Sequence, residues 1–89
     1  MNYPIFIDPD GREHTCILWA MDIGRLNWEW FSFENQGDGI HFGFVHGFED
    51  EWGTFSTDEL TANNIKYYTE PKDLQAIKAP VGWTKKEDQ

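Results

Sequence analysis

Apolar and polar positions alternate with a period of two along much of the chain, the pattern of strands that bury one face. Pro4 to Ile7 is short and β-prone, and Asp8-Pro9-Asp10-Gly11 reads as a turn, with Pro presetting φ and Gly accepting a positive one. Together with the next strand this predicts a hairpin. From Arg12 to Met21, His14, Cys16, Leu18 and Ala20 share one face, and Glu13, Thr15, Ile17 and Trp19 the other. Ile23-Gly24-Arg25-Leu26-Asn27 is the connection to a strand over Trp28 to Glu34. That strand carries Trp28, Trp30 and Ser32 on one side and Glu29, Phe31 and Phe33 on the other. Large rings on both sides predict a central position in the sheet.

Asn35-Gln36-Gly37-Asp38-Gly39 is a polar loop of hairpin length. In the strand that follows, Ile40, Phe42, Phe44, His46 and Phe48 line one side, opposite His41, Gly43, Val45 and Gly47. Two glycines on one face require something packed closely over them, and a neighbouring Trp lying across both is expected. Glu49-Asp50-Glu51-Trp52-Gly53 reads as a tight acidic turn, with a new strand beginning at Thr54 and Phe55. Ser56-Thr57-Asp58-Glu59 matches a capping box and predicts a short helix from Thr57 to about Asn63. Ile65 to Thr69 is read as the last strand, and Pro71 to Ile77 as one or two helical turns. Ala79 to Gln89 is expected to be a loosely ordered tail from which only Trp83 docks back. The whole is an α+β chain: a mainly antiparallel β-sheet of about five strands with one or two short helices, one domain over residues 1–89.

Composition narrows this reading. Aromatic residues make up 17% of the chain, so a small core can be filled with few side chains. The formal charge is −9, and its placement matters more than its size. Residues 26–65 hold no Lys or Arg, whereas Glu29, Glu34, Asp38, Glu49, Asp50, Glu51, Asp58 and Glu59 all fall there. Direct binding to nucleic acid is disfavoured, because that affinity comes from cations displacing counterions. A basic partner is favoured. The sequence has no 18-residue apolar run and no basic-then-apolar start, so no membrane association and a cytoplasmic location in the host cell are expected. Cys16 is the sole cysteine and reads as a small buried hydrophobe.

Asp8, Asp10 and Glu13 around Gly11 hint at a calcium loop, but Trp19 stands where its bidentate Glu should be, so a plain turn is read. His41 and His46 are five apart and face opposite ways on a regular strand, which argues against a shared metal. The carboxylates sit on a turn and a helix start, where solvation and the helix dipole favour acids anyway. Neither an enzyme nor a cofactor is expected. The acidic stretch leaves two readings. It is a solubilising face, or it is a partner-binding surface of Glu29, Glu34, Asp38, Glu49, Asp50, Glu51, Trp52, Asp58 and Glu59, in which carboxylates imitate phosphates and Trp52 is an anchor.

The segments WEWFSFEN, IHFGFVHGFEDEWGTFSTDEL and IKYYTEPKDLQAI resemble a family known only as a domain of unknown function, carried on plasmids, conjugative elements and phages. The likeness covers roughly Trp28 to Ile77 and is strongest from Phe42 to Leu60. Trp52 and Thr54 replace an aliphatic and an aromatic residue of the family pattern, and the family's leading helical segment is missing. The resemblance supplies no catalytic residues. It implies a mobile element and hence a protein that inhibits a host nucleic-acid-handling defence complex, of anti-CRISPR or anti-restriction type, by occupying its basic site. The alternative is a small adaptor or homodimeric interaction module whose acids only keep it in solution.

Overall fold

The computed structural model describes residues 1–24 and 26–87. Arg25, in the connection read from the sequence, and Asp88 and Gln89, at the end of the expected tail, lie outside them. Strands β1 (Ile5–Ile7) and β2 (Glu13–Thr15) form the hairpin, pairing Phe6 with His14. Its turn is held by Asp8, whose Oδ1 accepts the backbone N–H groups of Asp10 and Arg12, each at 2.9 Å. Gly11 completes it at φ 87°.

The single strand expected from Arg12 to Met21 is two strands in two sheets. The chain divides between Cys16 and Ile17, whose amides turn to different partners. Cys16 N–H donates to Pro4 O, beside β1, and Ile17 N–H donates to Ser32 O in the other sheet. β3 (Leu18–Met21) therefore belongs to a five-stranded antiparallel sheet with β4 (Glu29–Gly37), β5 (Ile40–His46), β6 (Asp50–Ser56) and β7 (Tyr67–Tyr68). The order is β6-β5-β4-β3-β7, so β4 is central, as its two-sided rings imply.

One face of this sheet packs on the β1–β2 hairpin through Phe6, Cys16, Phe31 and Phe44, all buried. The other packs Leu18, Ala20 and Phe55 against Leu60 and Ile65, from helix α1 (Thr57–Ala62) and the segment after it. Cys16 is fully buried, and burial pushes its thiol up to about 12, leaving no thiolate at neutral pH.

Three boundaries differ from the alternation pattern. The loop between β4 and β5 is only Asp38-Gly39, at φ 54° and 76°, because β4 runs on to Gly37. Both positive φ values make this the primed turn whose twist suits a hairpin. The acidic turn read at Glu49–Gly53 is instead the start of β6, and the reversal lies at Gly47–Glu49, where Gly47 N–H donates to Glu49 O at 3.2 Å. Strand register sets this, since His46 pairs with Asp50 and Phe44 with Trp52. β7 is not the last strand, and the described part of the expected tail, residues 80–87, is tied down by a further one. β8 (Thr84–Lys85) pairs with β1, giving the three-stranded sheet β2-β1-β8. Helix α2 (Pro71–Leu74) lies between β7 and β8, and its fully buried Leu74 anchors it.

Of the two glycines read on one strand face, only Gly47, just past the end of β5, carries the expected tryptophan. Trp28 lies over Gly47, its ring atoms 2.9–3.0 Å from where a Cβ would be. Over Gly43 lies backbone. β4 is irregular between Ser32, paired with Gly43, and Glu34, paired with Phe42, so Phe33 is an extra residue. At that irregularity a Cβ on Gly43 would stand 1.8 Å from Phe31 O.

Candidate partner-binding surface

The pairing register decides where each acid points. Glu29, His46 and Asp50 are directly opposite one another across β4, β5 and β6 and share the face that packs on the smaller sheet. His46 Nδ1 lies 2.5 Å from Asp50 Oδ1, and Trp19 Nε1 donates to Glu29 Oε2 at 3.0 Å. Glu51 faces the other way. With Glu49 it borders a shallow hollow walled by Trp28, Val45 and exposed Phe48.

The remaining acids sit at the opposite end of the β4–β5 hairpin. Asp38 is in the turn, and its neighbour Gly39 accepts the Thr57 N–H, which brings the turn against the start of α1 with Asp58 and Glu59. Glu59 is committed to the helix start, its N–H donating to Ser56 Oγ at 3.0 Å and its Oε1 accepting from Ser56 Oγ at 3.1 Å. Glu34 is exposed on β4 and accepts from Gln36. The eight predicted acids therefore form two groups, joined by the edge strand β6, which carries the ninth residue, Trp52. The span of β5, at about 3.3 Å per residue, separates them by roughly 20 Å. Among the described residues, no cationic side chain pairs with Asp38, Glu49, Glu51 or Asp58.

Trp52 occupies the middle of this edge. It is 45% exposed, yet its ring is within 6.0 Å of five others, those of His14, Phe33, Phe42, Phe44 and Trp83. It is at once a lid on the core and an exposed apolar surface. Sequence reasoning missed its neighbour Trp83 as part of the same surface, and missed His46 as the partner of Asp50. Only the register brings these together, and the alternation pattern does not contain it.

The bases lie elsewhere. Lys66 sits 5.2 Å from the Tyr68 ring centroid, beside β7 at the far edge of the sheet, and Lys86 pairs with Glu13 on the small sheet. Lys85 Nζ donates to the carbonyls of Gln75 and Ile77. The large sheet thus has an acidic edge at β6, and Lys66 lies at its opposite edge, beside β7.

Two further titratable groups are structural. His41 is on the face opposite His46, shares a 2.6 Å hydrogen bond with Ser32 Oγ, and is held below its ordinary pKa by burial. Asp8 is buried and accepts from His14 Nε2 at 2.9 Å. The His14 hydrogen bond, with help from the two turn amides and against the cost of burial, holds its carboxyl below the ordinary value of 3.8. The unfolded chain therefore takes up this proton first as the pH falls. Asp8 contributes stability in full above about pH 4, and that contribution is lost as the pH drops through its folded pKa. Urea midpoints measured between about pH 5 and pH 2.5 should fall less steeply in Asp8→Asn than in the natural chain; equal slopes would remove Asp8 as a source of acid sensitivity.

Compared with known proteins, the chain matches no family model, no curated protein and no solved structure. Among the described residues, no helix is long and apolar enough to cross a membrane, and no group of three or more His, Cys, Asp or Glu is placed to hold a metal ion.

Proposed function

We propose that this chain is a non-catalytic binding protein that seats the β6 edge of its large sheet on a basic surface of another protein. The observation that carries this is the edge itself: a half-exposed tryptophan with acids that lack cationic partners at both ends. Carboxylates on a rigid sheet approach a partner's cations without the ordering cost of a flexible acidic tail. They also steer encounter with it over distances comparable to the screening length. The partner class that best fits is a protein whose basic groove handles nucleic acid, where carboxylates at fixed spacing compete with phosphates. Joined to the resemblance to a family of mobile elements, this reads as inhibition of a host defence nuclease or guide-RNA complex.

The test is competition. Adding the protein to a CRISPR effector or restriction enzyme should displace DNA or guide RNA, and Glu49→Lys, Asp50→Lys and Glu51→Lys together, which move the formal charge from −9 to −3, should abolish it. Association should slow by roughly a hundredfold and lose most of its salt dependence. An unchanged rate in the triple variant sinks the proposal. Loss of a dimer on sizing columns in Trp52→Ala, with no effect on any nucleic-acid complex, would favour the adaptor reading instead.

A further inference from the structure

A cavity of about 260 Å³ opens between the β1–β2 turn and the β5–β6 edge. Phe44, Trp52 and Trp83 line it, together with Asp8, Asp10 and Asp50. The three rings are mutually inclined. Trp52 and Trp83 have centroids 5.7 Å apart at 36°, Phe44 and Trp83 5.0 Å at 52°, and Phe44 and Trp52 5.5 Å at 71°. Such inclined walls present ring faces and edges to one small space, and ring faces attract cations. Each carboxylate on the lining comes from a different setting. Asp8 is fixed by His14 and two backbone amides, Asp10 is exposed on the turn, and Asp50 gives Oδ1 to His46, leaving its second oxygen to accept from a ligand.

We infer that this cavity receives a guanidinium group, the end of an arginine side chain on the protein's partner. Its volume is below the ~300 Å³ at which pockets for drug-sized ligands begin, so it suits one side-chain end group and not a cofactor. Charge complementarity sets the sign of the occupant, since every ionisable group on the lining is an acid. The combination of rings and carboxylates then separates arginine from lysine. A guanidinium is flat, less strongly hydrated than an ammonium, and able to lie against an indole while donating in its own plane to carboxylate oxygens. An ammonium would gain from the rings but would leave a larger hydration free energy behind. Asp50 and Trp52 belong to the partner-binding edge, so the biological occupant rests on that reading. The pocket itself can be tested without a partner.

The experiment titrates the intact chain with N-acetyl-arginine methylamide and follows the indole N–H signals of Trp52 and Trp83 by NMR. The citrulline and lysine analogues serve as uncharged and ammonium controls. Saturable shifts at both indoles are expected, with a Kd of about 1–10 mM. The lysine analogue should bind at least several-fold more weakly and citrulline should not saturate. Asp50→Asn should weaken binding about fivefold to tenfold, and Trp52→Ala should abolish it, while Trp52→Phe, which keeps a ring on the wall, should retain most of it. Equal binding of citrulline, tighter binding of lysine, or no saturation by about 50 mM arginine analogue overturns the inference. Glu49→Lys with Glu51→Lys, outside the cavity, separates the two proposals. If that variant loses a basic partner while the natural chain ignores the arginine analogue, the pocket fails and the surface stands. If the analogue binds but basic nucleic-acid proteins do not, the surface fails and the pocket stands.

Discussion

Gly43→Ala is expected to cost about 3 kcal/mol or more, an exceptional loss for the addition of one methyl group. The added carbon would stand 1.8 Å from Phe31 O and 2.9 Å from Ser32 Cα, both backbone atoms of the central strand. A flexible side chain could swing aside, but here the irregular stretch of β4 has to move. β4 and β5 are hydrogen-bonded on both sides of that point, from Glu29–His46 to Gly37–Ile40, so the strain cannot be shed locally. In a chain of 89 residues, 3 kcal/mol corresponds to a fall in Tm of roughly 12–24 °C. Gly53 pairs directly with Gly43 on β6, yet a Cβ there would meet nothing within 4 Å. Gly53→Ala is therefore the control, and thermal unfolding of the pair should differ by most of that interval. Similar melting temperatures would mean that the bulge does not hold Gly43 to glycine.

Trp83→Ala is expected to be comparably severe, about 3 kcal/mol, and to act at a distance from the substitution. Its ring stacks on Phe33 at 5.7 Å and 20°, and lies 5.0 Å from Phe44 and 5.4 Å from His14. These contacts fasten the segment before β8 to the large sheet, and β8 in turn completes the small one. Losing the ring should release β8, so amide exchange at Ile5 to Ile7 should accelerate together with that at Thr84 and Lys85, ahead of exchange in β4 and β5. Uniform acceleration over the whole chain would show that Trp83 supports the core generally and does not clasp the small sheet.

What the sequence made legible follows period and local chemistry. The β1–β2 turn, the centrality of β4 and the Ser56 cap are all fixed by neighbours within a few positions, whereas Phe48, read on the same side as Phe44, lies past the end of β5 against Trp28 and is exposed. The division at Cys16–Ile17 was hidden because His14, Cys16, Leu18 and Ala20 keep alternating through it; they serve two cores, and alternation cannot tell one from two. The Glu49–Gly53 segment looked like a turn because acids and glycine are turn formers. Pairing with β5 outweighs that propensity and extends β6 back to Asp50, since every residue from Asp50 to Ser56 has a partner there. β8 was illegible for a similar reason. Two residues of strand carry no pattern, and what holds them is a ring cluster assembled from distant parts of the chain. The acidic residues were all identifiable, but their division into two groups is a property of the register.

Strand β1 receives β2 from a turn beginning at Asp8 and β8 from Thr84, at the far end of the sequence. The first pairing closes a loop of a few residues, while the second closes one spanning most of the chain, and the entropy of closure grows with that span. The hairpin can therefore form early, and β8 adds only after the large sheet has presented the rings on which Trp83 rests. The same order in reverse predicts that β8 opens before the large sheet does. Since Trp83 is one wall of the aromatic cavity, whose other walls come from the β1–β2 turn and the β5–β6 edge, its occupancy by a ligand would tie the two ends of the chain together.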